Sequence, residues 1–427
     1  MPSLHQHTLP SGLRVIGELD PRGYSASIGF FVRAGSRDET DRQSGLSHFL
    51  EHMMFKGTAN RTASDVNREL DELGGQANAY TSEEQTVYYT TVLPKFQHRT
   101  VDLLSDMLTP SLDEDEFATE KQVILEEIAK YEDQPPFGAF ERSMERFFGP
   151  RGLGRRILGS KESITEMTAN DLRGYFHHRY RPDNIVVAVT GNVDFDSLIE
   201  QLENATATWR DRPDSDPLPP DAPEKLPPGI SMQDRWTVAG LNQSYVVRLG
   251  DGPAASDEDR YAARMLAAIV GDEGGSRLYW DLIDTGRAEV ATCWPQEFTD
   301  RGVWFSYLVC DPDDVDSNLR LMDEAMERVS TDGVNEAELR QTRNKAIAVA
   351  IKQSERPINR LFGVGSRYLV HREYFSLDET LDRIRSLTVD DVNRAARKYL
   401  VPPKEIVQVT PEGHSGSAEG HSGSAEG

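Results

Sequence analysis

The sequence GLSHFLEHMMFKGT, at residues 45–58, decides how the whole chain is interpreted. On a helix, His48 and His52 lie four residues apart and therefore one above the other, and Glu51 leans to the same side. Two imidazoles arranged in this way can bind one zinc ion at about 2.0–2.1 Å. The surrounding residues are apolar, so we expect a buried helix, in which two imidazoles and a carboxylate without partners would be costly. A bound metal removes that cost, which favours a zinc centre with Glu51 acting on the bound water.

The same residues also have a purely structural interpretation. Histidines spaced in this way occur by chance, and histidines that pack in a core or cap a helix are common. The pattern H-x-x-E-H is a signature of one class of zinc peptidases, but it is short. A catalytic zinc further needs a third protein ligand and an open position for water. From this segment alone, both interpretations stay open.

A second segment, ATEKQVILEEIAKYEDQ at residues 118–134, offers the third ligand. Glu120 and Glu127 are seven residues apart, which is about two helical turns, so they share a face, whereas Glu126 lies off that face. We predict Glu127 as the ligand. Glu120 is predicted to orient a ligand histidine, because metal-bound histidines usually donate their other N–H to such a group. The alternative, a solvated acidic face, is expected for most of the other carboxylates here.

Composition and charge exclude several classes of function. The chain of 427 residues has 47 Lys and Arg against 71 Asp and Glu, a net charge of −24, which repels nucleic acids and anionic lipids and attracts basic peptides. No apolar run approaches the roughly 18 residues of a membrane span, and the first residues do not resemble a secretory or mitochondrial targeting segment. Cys293 and Cys310 are predicted to be buried, reduced thiols. We therefore expect a cytoplasmic protein with no nucleic-acid or membrane partner.

The Pro- and Asp-rich residues 210–229 predict an extended linker between a metal-binding first domain, residues 1–209, and a second domain, residues 230–412. The heptapeptide HSGSAEG occurs twice in residues 413–427 and predicts a disordered tail, because Gly, Ser and Glu form no core. In both halves strands recur among amphipathic helices, which predicts an α+β fold with helices packed on one face of each sheet. The predicted strands are Leu13–Glu18, Ser25–Arg33, Thr86–Leu93, Ile185–Thr190, Gln243–Leu249, Ala288–Glu297, Val303–Cys310 and Ile406–Thr410, and the predicted helices are Gly45–Lys56, Ala63–Leu73, Phe96–Met107, Glu114–Tyr131, Ala169–Tyr180, Asp257–Val270, Asp314–Val329, Glu336–Gln353, Leu377–Ile384 and Val389–Tyr399.

Further motifs run through most of residues 5–410. They are SGLRV (11–15), AGSRDE (34–39), GGQANAYTSEEQTVYY (74–89), EKQVILEEI (120–128), LGRRILGS (153–160), RPDNIVVAVTGNVD (181–194) and GGSRLYWDL (274–282). With these motifs in this order, the sequence resembles the pitrilysin or M16 metallopeptidases, and within them the zinc-bearing β subunit of mitochondrial processing peptidase and its bacterial relatives. The resemblance implies two related α+β halves, with antiparallel-rich sheets, that enclose a peptide chamber. It also implies one zinc ion per chain, held by His48, His52 and a Glu 75 residues later, which is Glu127, with Glu120 in support.

The motif GGQANAYTSEEQTVYY has a local and a family interpretation. Locally, Gln76–Ser82 followed by Val87–Thr90 predicts a turn into a strand, and an ordinary edge strand would account for it. In the family, the matching strand is a sheet edge that pairs with the substrate backbone. The resemblance therefore implies that Asn78, Ala79 and Tyr80 contact the peptide, in a mode of pairing that accepts any extended chain.

The second half departs from the family at two positions. Single-chain and homodimeric relatives usually carry an Arg and a Tyr after a motif like SRL, where this chain has Ile283 and Val290, and Arg287 is near but does not match. An apolar side chain donates no hydrogen bond to an oxyanion, which costs roughly 10²–10³ in rate. The β subunit of the processing peptidase has the same loss. The resemblance therefore implies a heterodimer with a homologous, zinc-less chain that supplies Arg and Tyr, and a homodimer is less favoured.

Three functions follow as hypotheses. The favoured one is a zinc endopeptidase, the catalytic subunit of such a heterodimer, that cleaves unfolded peptides or flexible segments. The alternative is a non-catalytic subunit for peptide binding or assembly, which the intact metal pattern disfavours. A hydrolase of other esters or of phosphates is disfavoured as well, because GDEGGSRL (271–278) lacks the spacing and the Lys of a phosphate-binding loop.

Overall fold

The structure, a computed structural model, describes residues 2–75, 77–132, 134–211 and 232–413. The predicted linker (210–229) and tail (413–427) lie almost entirely outside the described residues. The described chain forms two compact units. The first consists of residues 2–130, 144–211 and 346–383, and the second of residues 131–143, 232–345 and 384–413, without the residues that are not described.

Each unit contains one β-sheet. The strands of the first sheet are β1 (Ser3–Thr8), β2 (Arg14–Leu19), β3 (Ala26–Val32), β4 (Asn78–Thr81), β5 (Thr86–Val92) and β6 (Ile185–Gly191). The strands of the second sheet are β7 (Met232–Val238), β8 (Ser244–Asp251), β9 (Val290–Glu297), β10 (Gly302–Cys310) and β11 (Glu405–Pro411).

The two sheets share one strand order. The first runs β1-β2-β6-β3-β5-β4 and the second runs β7-β11-β8-β10-β9. Among the described strands, β2 with β6 and β7 with β11 pair in parallel, and every other neighbouring pair is antiparallel. Each strand of the second sheet thus has a counterpart in the first, where β1 is an addition. The prediction of two related halves with antiparallel-rich sheets is confirmed.

The helices connect the strands and cover the sheets. They are α1 (Leu46–Met53), α2 (Ala63–Glu72), α3 (Gln97–Met107), α4 (Glu114–Glu132), α5 (Pro135–Phe148), α6 (Lys161–Glu166), α7 (Ala169–Arg179), α8 (Phe195–Ala205), α9 (Arg260–Gly271), α10 (Val315–Asp332), α11 (Glu336–Ser354), α12 (Pro357–His371), α13 (Leu377–Ser386) and α14 (Val389–Tyr399).

The two central strands of the first sheet, β3 and β6, are buried along their whole length and carry mostly apolar side chains. In β3, Ile28, Phe30 and Val32 join the main core with residues of α1 and α3, whereas Phe31 lies in a second cluster on the opposite face. Successive side chains of a strand point to opposite faces, so an uninterrupted apolar strand needs cover on both. Helix α12 provides the second cover, with Leu361 fully buried in that cluster.

In both units, the second face of the sheet is covered by a helix from the other half of the sequence. Helix α12 belongs to the first unit, and the start of α5 belongs to the second, where Phe140 packs against Trp294 and Tyr307. The sequence-based division into residues 1–209 and 230–412 assigns α12 and the start of α5 to the other unit. The prediction that helices cover one face of each sheet is incomplete, because these two helices cover the second face. The physical reason is that both faces of each sheet carry apolar side chains.

Every predicted strand and helix overlaps an observed element, whereas β1, β7, α5, α6, α8 and α12 were not predicted, and β4 lies where the local pattern predicted a turn. In α12, two glycines lower the helix propensity and hide the helix from sequence analysis. Cys293 and Cys310 are free and buried, as predicted. Among the described residues, no helix has both the length and the apolar character needed to cross a membrane.

Candidate metal centre

The helix that carries H-x-x-E-H is fixed at its first turn. Gly45 precedes α1 with a φ of 93°, and a Cβ there would meet the Leu158 carbonyl oxygen at 2.7 Å, so only glycine fits. The buried carboxylate of Glu39 accepts hydrogen bonds from the backbone N–H groups of Gly45 (2.8 Å) and Ser47 (2.7 Å). The Ser47 hydroxyl lies 2.6 Å from the Tyr175 hydroxyl. These contacts set where the helix begins and which face it turns toward α4.

Two histidines and one glutamate converge in the first unit. Helix α1 supplies His48 and His52, and α4 supplies Glu127; one ligand atom from each lies within 4.8 Å of the other two. The Nε2 atoms of His48 and His52 are 3.7 and 3.6 Å from Glu127 Oε2. Stacked rings of Phe49 and Phe117, with centroids 4.6 Å apart, pack the two helices together beside these side chains. The structure therefore brings together all three predicted ligands.

The donor set fits a tetrahedral zinc ion. Donor atoms on such an ion, at bonds of about 2.0–2.2 Å, stand roughly 3.3–3.6 Å from one another, close to the distances between the imidazoles and the carboxylate here. Burial and the neighbouring His52 lower the pKa of His48 to about 3, which keeps that imidazole neutral with a free lone pair. Three protein ligands leave one tetrahedral position for water. Within the described ranges, no second group of His, Cys, Asp and Glu side chains forms such a set.

Glu120, which is predicted to orient a ligand histidine, lies next to His52. Its Oε1 accepts a hydrogen bond from His52 Nδ1 at 2.7 Å, which directs Nε2 of the same ring toward Glu127. Burial alone would lower the pKa of His52, but the hydrogen bond to Glu120 and its negative charge raise it. Lys56 Nζ lies 2.5 Å from the other oxygen of Glu120. Sequence analysis missed Lys56, although it follows His52 by one helical turn and the spacing could have suggested it.

Glu51 lies beside the three candidate ligands and has one hydrogen-bonding partner among the described residues. Its Oε2 accepts a hydrogen bond from Thr81 Oγ1 at 2.6 Å. Burial raises the pKa of Glu51, and the hydrogen bond from Thr81 opposes that effect. Sequence analysis did not single out Thr81, because nothing in the spacing of the chain links it to Glu51.

The three predicted peptide contacts lie on β4, the strand at one edge of the first sheet. Asn78 is exposed, and Ala79 packs against the main core on the face that carries α1. Tyr80 points to the opposite face, where its hydroxyl accepts a hydrogen bond from Gln85 Nε2 at 2.9 Å. Burial raises the pKa of Tyr80 to about 12, so its hydroxyl stays protonated.

Ile283 and Val290, where the resemblance leads one to expect Arg and Tyr, lie in the second unit. Ile283 ends a single π-helical turn, Tyr279–Ile283, and Val290 is the first residue of β9. Arg287 lies between them and is exposed. In the topology of the two sheets, β9 is the counterpart of β4.

Comparison with known proteins places both halves of the chain in one family. Residues 14–161 match the family model described as insulinase (peptidase family M16), and residues 166–346 match the model described as peptidase M16 inactive domain. An uncharacterized zinc protease of Streptomyces coelicolor is 32% identical over 408 residues, which cover 93% of this chain and 87% of that protein. The mitochondrial-processing peptidase subunit beta of Saccharomyces cerevisiae is 28% identical, over 92% of this chain and 87% of that protein. The crystal structure of a protease from Helicobacter pylori superimposes with a TM-score of 0.88 at 23% identity, over 96% of this chain and all of the other (100%).

Proposed function

Because the chain belongs to peptidase family M16, whose relatives are named zinc proteases, we propose that it is a zinc-dependent endopeptidase. The proposed substrates are unfolded peptides or flexible protein segments. The observation that carries the proposal is the convergence of His48, His52 and Glu127 within 4.8 Å, next to the half-buried carboxylate of Glu51. All four residues lie within the part that matches the peptidase model, and not within the part that matches the inactive domain.

Each residue has a defined task in the proposed reaction. His48, His52 and Glu127 would hold one zinc ion per chain, and Glu120 would keep the His52 ring in the orientation that presents Nε2. When bound, zinc would polarise the scissile carbonyl and lower the pKa of water toward about 7. Glu51 would take the proton of the attacking water and pass it to the leaving amine.

The peptide would bind along β4. This strand pairs with β5 on one side and forms the edge of the described sheet on the other, so its free backbone groups suit the addition of an extended peptide. Asn78, Ala79 and Tyr80 are the proposed contacts. Pairing along a strand edge needs an extended chain, so the proposed substrates are unfolded segments, and the net charge of −24 would favour basic ones.

A homologous partner would complete the enzyme. The side chains of Ile283 and Val290 donate no hydrogen bond, and the similar protein of Saccharomyces cerevisiae is named as a subunit. We therefore propose a heterodimer with a related chain that lacks the zinc pattern and supplies Arg and Tyr. Adding that partner should raise cleavage by about 10²–10³ over this chain alone. Full activity of this chain as a homodimer would refute the heterodimer.

The test of the proposed activity is chelator-sensitive cleavage of an unfolded, basic peptide, combined with zinc analysis. Glu51→Gln should lower kcat by about 10²–10⁴ while zinc stays near one per chain, because only the base is removed. His52→Ala and Glu127→Ala should lose zinc as well. Glu126→Gln is the matched control, since Glu126 is exposed beside Glu127.

The same experiment separates the endopeptidase from a non-catalytic subunit. A non-catalytic subunit would bind the peptide without cutting it, whether or not zinc is present and whether or not the partner is added. Full activity of Glu51→Gln would show that Glu51 is not the base. Tight zinc binding by His52→Ala or Glu127→Ala would show that the ligand set is wrong.

A further inference from the structure

We propose that Thr81 is a positioning residue, which holds the Glu51 carboxylate and couples it to the edge strand β4. This inference rests on the proposed function, in which Glu51 is the base and β4 binds the peptide. It adds a residue that acts through Glu51 rather than on the substrate.

The contact is short and directed. Thr81 Oγ1 lies 2.6 Å from Glu51 Oε2 and, across the paired strand, 3.4 Å from Thr86 Oγ1. The Thr86 hydroxyl donates to the Ala34 carbonyl oxygen at 2.8 Å, so its proton is already used. The Thr81 proton therefore goes to the shorter contact, with Glu51. A hydrogen bond to a charged carboxylate is about twice as strong as one between neutral groups.

Strand geometry determines where the Thr81 hydroxyl points. Side chains alternate along a strand, so Thr81 shares a face with Ala79, which packs against the main core on the side of α1. Thr81 pairs with Thr86 of β5, which is itself held inside the sheet by β3. The hydroxyl is thus placed by the sheet and not by a mobile loop.

The turn after β4 is held in place by close backbone contacts with residues 35–37. The backbone N–H of Ser36 donates to the Ser82 carbonyl oxygen at 3.2 Å, and that of Arg37 to the Glu83 carbonyl oxygen at 2.8 Å. At Gly35 a Cβ would lie 2.4 Å from the Ser82 carbonyl oxygen, so the two segments meet at a distance that only glycine allows. The end of β4 cannot move away from Glu51 without breaking these contacts.

This arrangement gives the two oxygens of Glu51 different tasks. Oε2 is held by Thr81, which leaves Oε1 to accept the proton of the attacking water. Among the described residues, no other side chain or backbone group donates to this carboxylate, so removal of the hydroxyl frees its rotation. A base that samples wrong orientations lowers kcat and leaves peptide binding at β4 unchanged. The peptide register and the base orientation are thereby set by one four-residue strand.

The test compares Thr81→Val, which keeps the shape and removes the hydroxyl, with Thr81→Ser, which keeps the hydroxyl. Thr81→Val should lower kcat about 10- to 100-fold, the equivalent of one charge-assisted hydrogen bond, with KM within about twofold and zinc content unchanged. Thr81→Ser should restore kcat to within about threefold of the wild type. Thr100→Val is the control, because it removes a buried hydroxyl that donates to the Phe96 carbonyl oxygen, away from Glu51.

The outcomes separate this inference from the proposed function. An inactive Glu51→Gln together with normal kcat in Thr81→Val overturns the role of Thr81 alone. A Thr81→Ser variant as slow as Thr81→Val also overturns it, because the defect then lies in packing and not in the hydroxyl. Absence of zinc-dependent cleavage by the wild type, with partner present, overturns the proposed function and the inference with it.

A second measurement tests the contact without any activity. In the zinc-free protein, Thr81→Val should lower Tm in the wild-type background and by clearly less in a Glu51→Ala background, because the hydrogen bond is already lost there. Equal shifts in Tm in the two backgrounds would show that the two side chains are not coupled, and would overturn the proposal.

Discussion

Replacing Glu120 by Gln tests the support of the metal centre by removing a charge while keeping the shape. In the wild type, His52 Nδ1 lies 2.7 Å from Glu120 Oε1. The amide oxygen of Gln can still accept this hydrogen bond, but it brings no negative charge close to the imidazole ring. Loss of a carboxylate that supports a ligand histidine typically costs 10–100-fold in metal affinity. We expect a zinc Kd that is about 10- to 100-fold higher than that of the wild type at pH 8.

The pH dependence of zinc binding provides a second test of this prediction. Zinc binds the neutral imidazole, so the affinity of the wild type falls as pH drops through the raised pKa of His52. Without the charge of Glu120 that pKa is lower, and the fall in the variant begins at a lower pH. The ratio of the two affinities should therefore be largest at pH 8 and should shrink toward pH 6.

A competition titration against a chromophoric chelator, at several pH values, measures both effects. Glu116→Gln is the control, because Glu116 is a partly exposed carboxylate in the first turn of the same helix, one turn before Glu120. The reasoning is refuted if Glu120→Gln binds zinc as tightly as the wild type at pH 8. It is refuted as well if the two affinities fall in parallel as the pH is lowered.

Two further predictions concern stability, and both are measured by denaturant unfolding. Gly365→Ala should destabilise the protein by about 1–3 kcal/mol, because overpacking is costly and the new Cβ would lie 2.3 Å from a carbon of the Phe31 ring. Gly363→Ala, on the exposed side of the same helix, should instead stabilise it by roughly 0.5–1 kcal/mol; a loss at both positions would mean that α12 does not pack on the sheet as described. Glu39→Ala should cost about 2–4 kcal/mol, because two backbone N–H groups at the start of α1 lose their buried acceptor. An unchanged midpoint for Glu39→Ala would show that this start is held by other contacts.

Much of the candidate centre could be predicted from residue spacing. Helical periodicity places His48, Glu51 and His52 on one side of a helix, and the seven-residue interval puts Glu120 and Glu127 on one face of another. Periodicity gives faces but not distances between separate helices. The contact of Thr81 with Glu51 depends on the pairing of β4 with β5 and on the packing of that sheet edge against α1, which no local pattern contains.

The limits of the fold prediction have the same physical origin. Strands such as β3 and β6 are mostly apolar on both faces, which indicates that both faces are covered but not which segment covers them. Helix α12 lies more than 150 residues after β6 in the chain, yet its Pro357 carbonyl oxygen accepts a hydrogen bond from Thr190 at 2.6 Å. Such an exchange comes from long-range packing, so a division of the chain at its Pro-rich segment misses it.

The central claim is that two imidazoles and one carboxylate meet around a single zinc ion. It is tested most directly by a crystal structure of the zinc-loaded protein with anomalous data at the zinc edge. The account predicts one anomalous peak per chain, bonded to His48 Nε2 and His52 Nε2 at about 2.0–2.1 Å and to the Glu127 carboxylate at about 2.0–2.2 Å. A peak bonded to other residues, or a Glu127 carboxylate turned away from the ion, would contradict it.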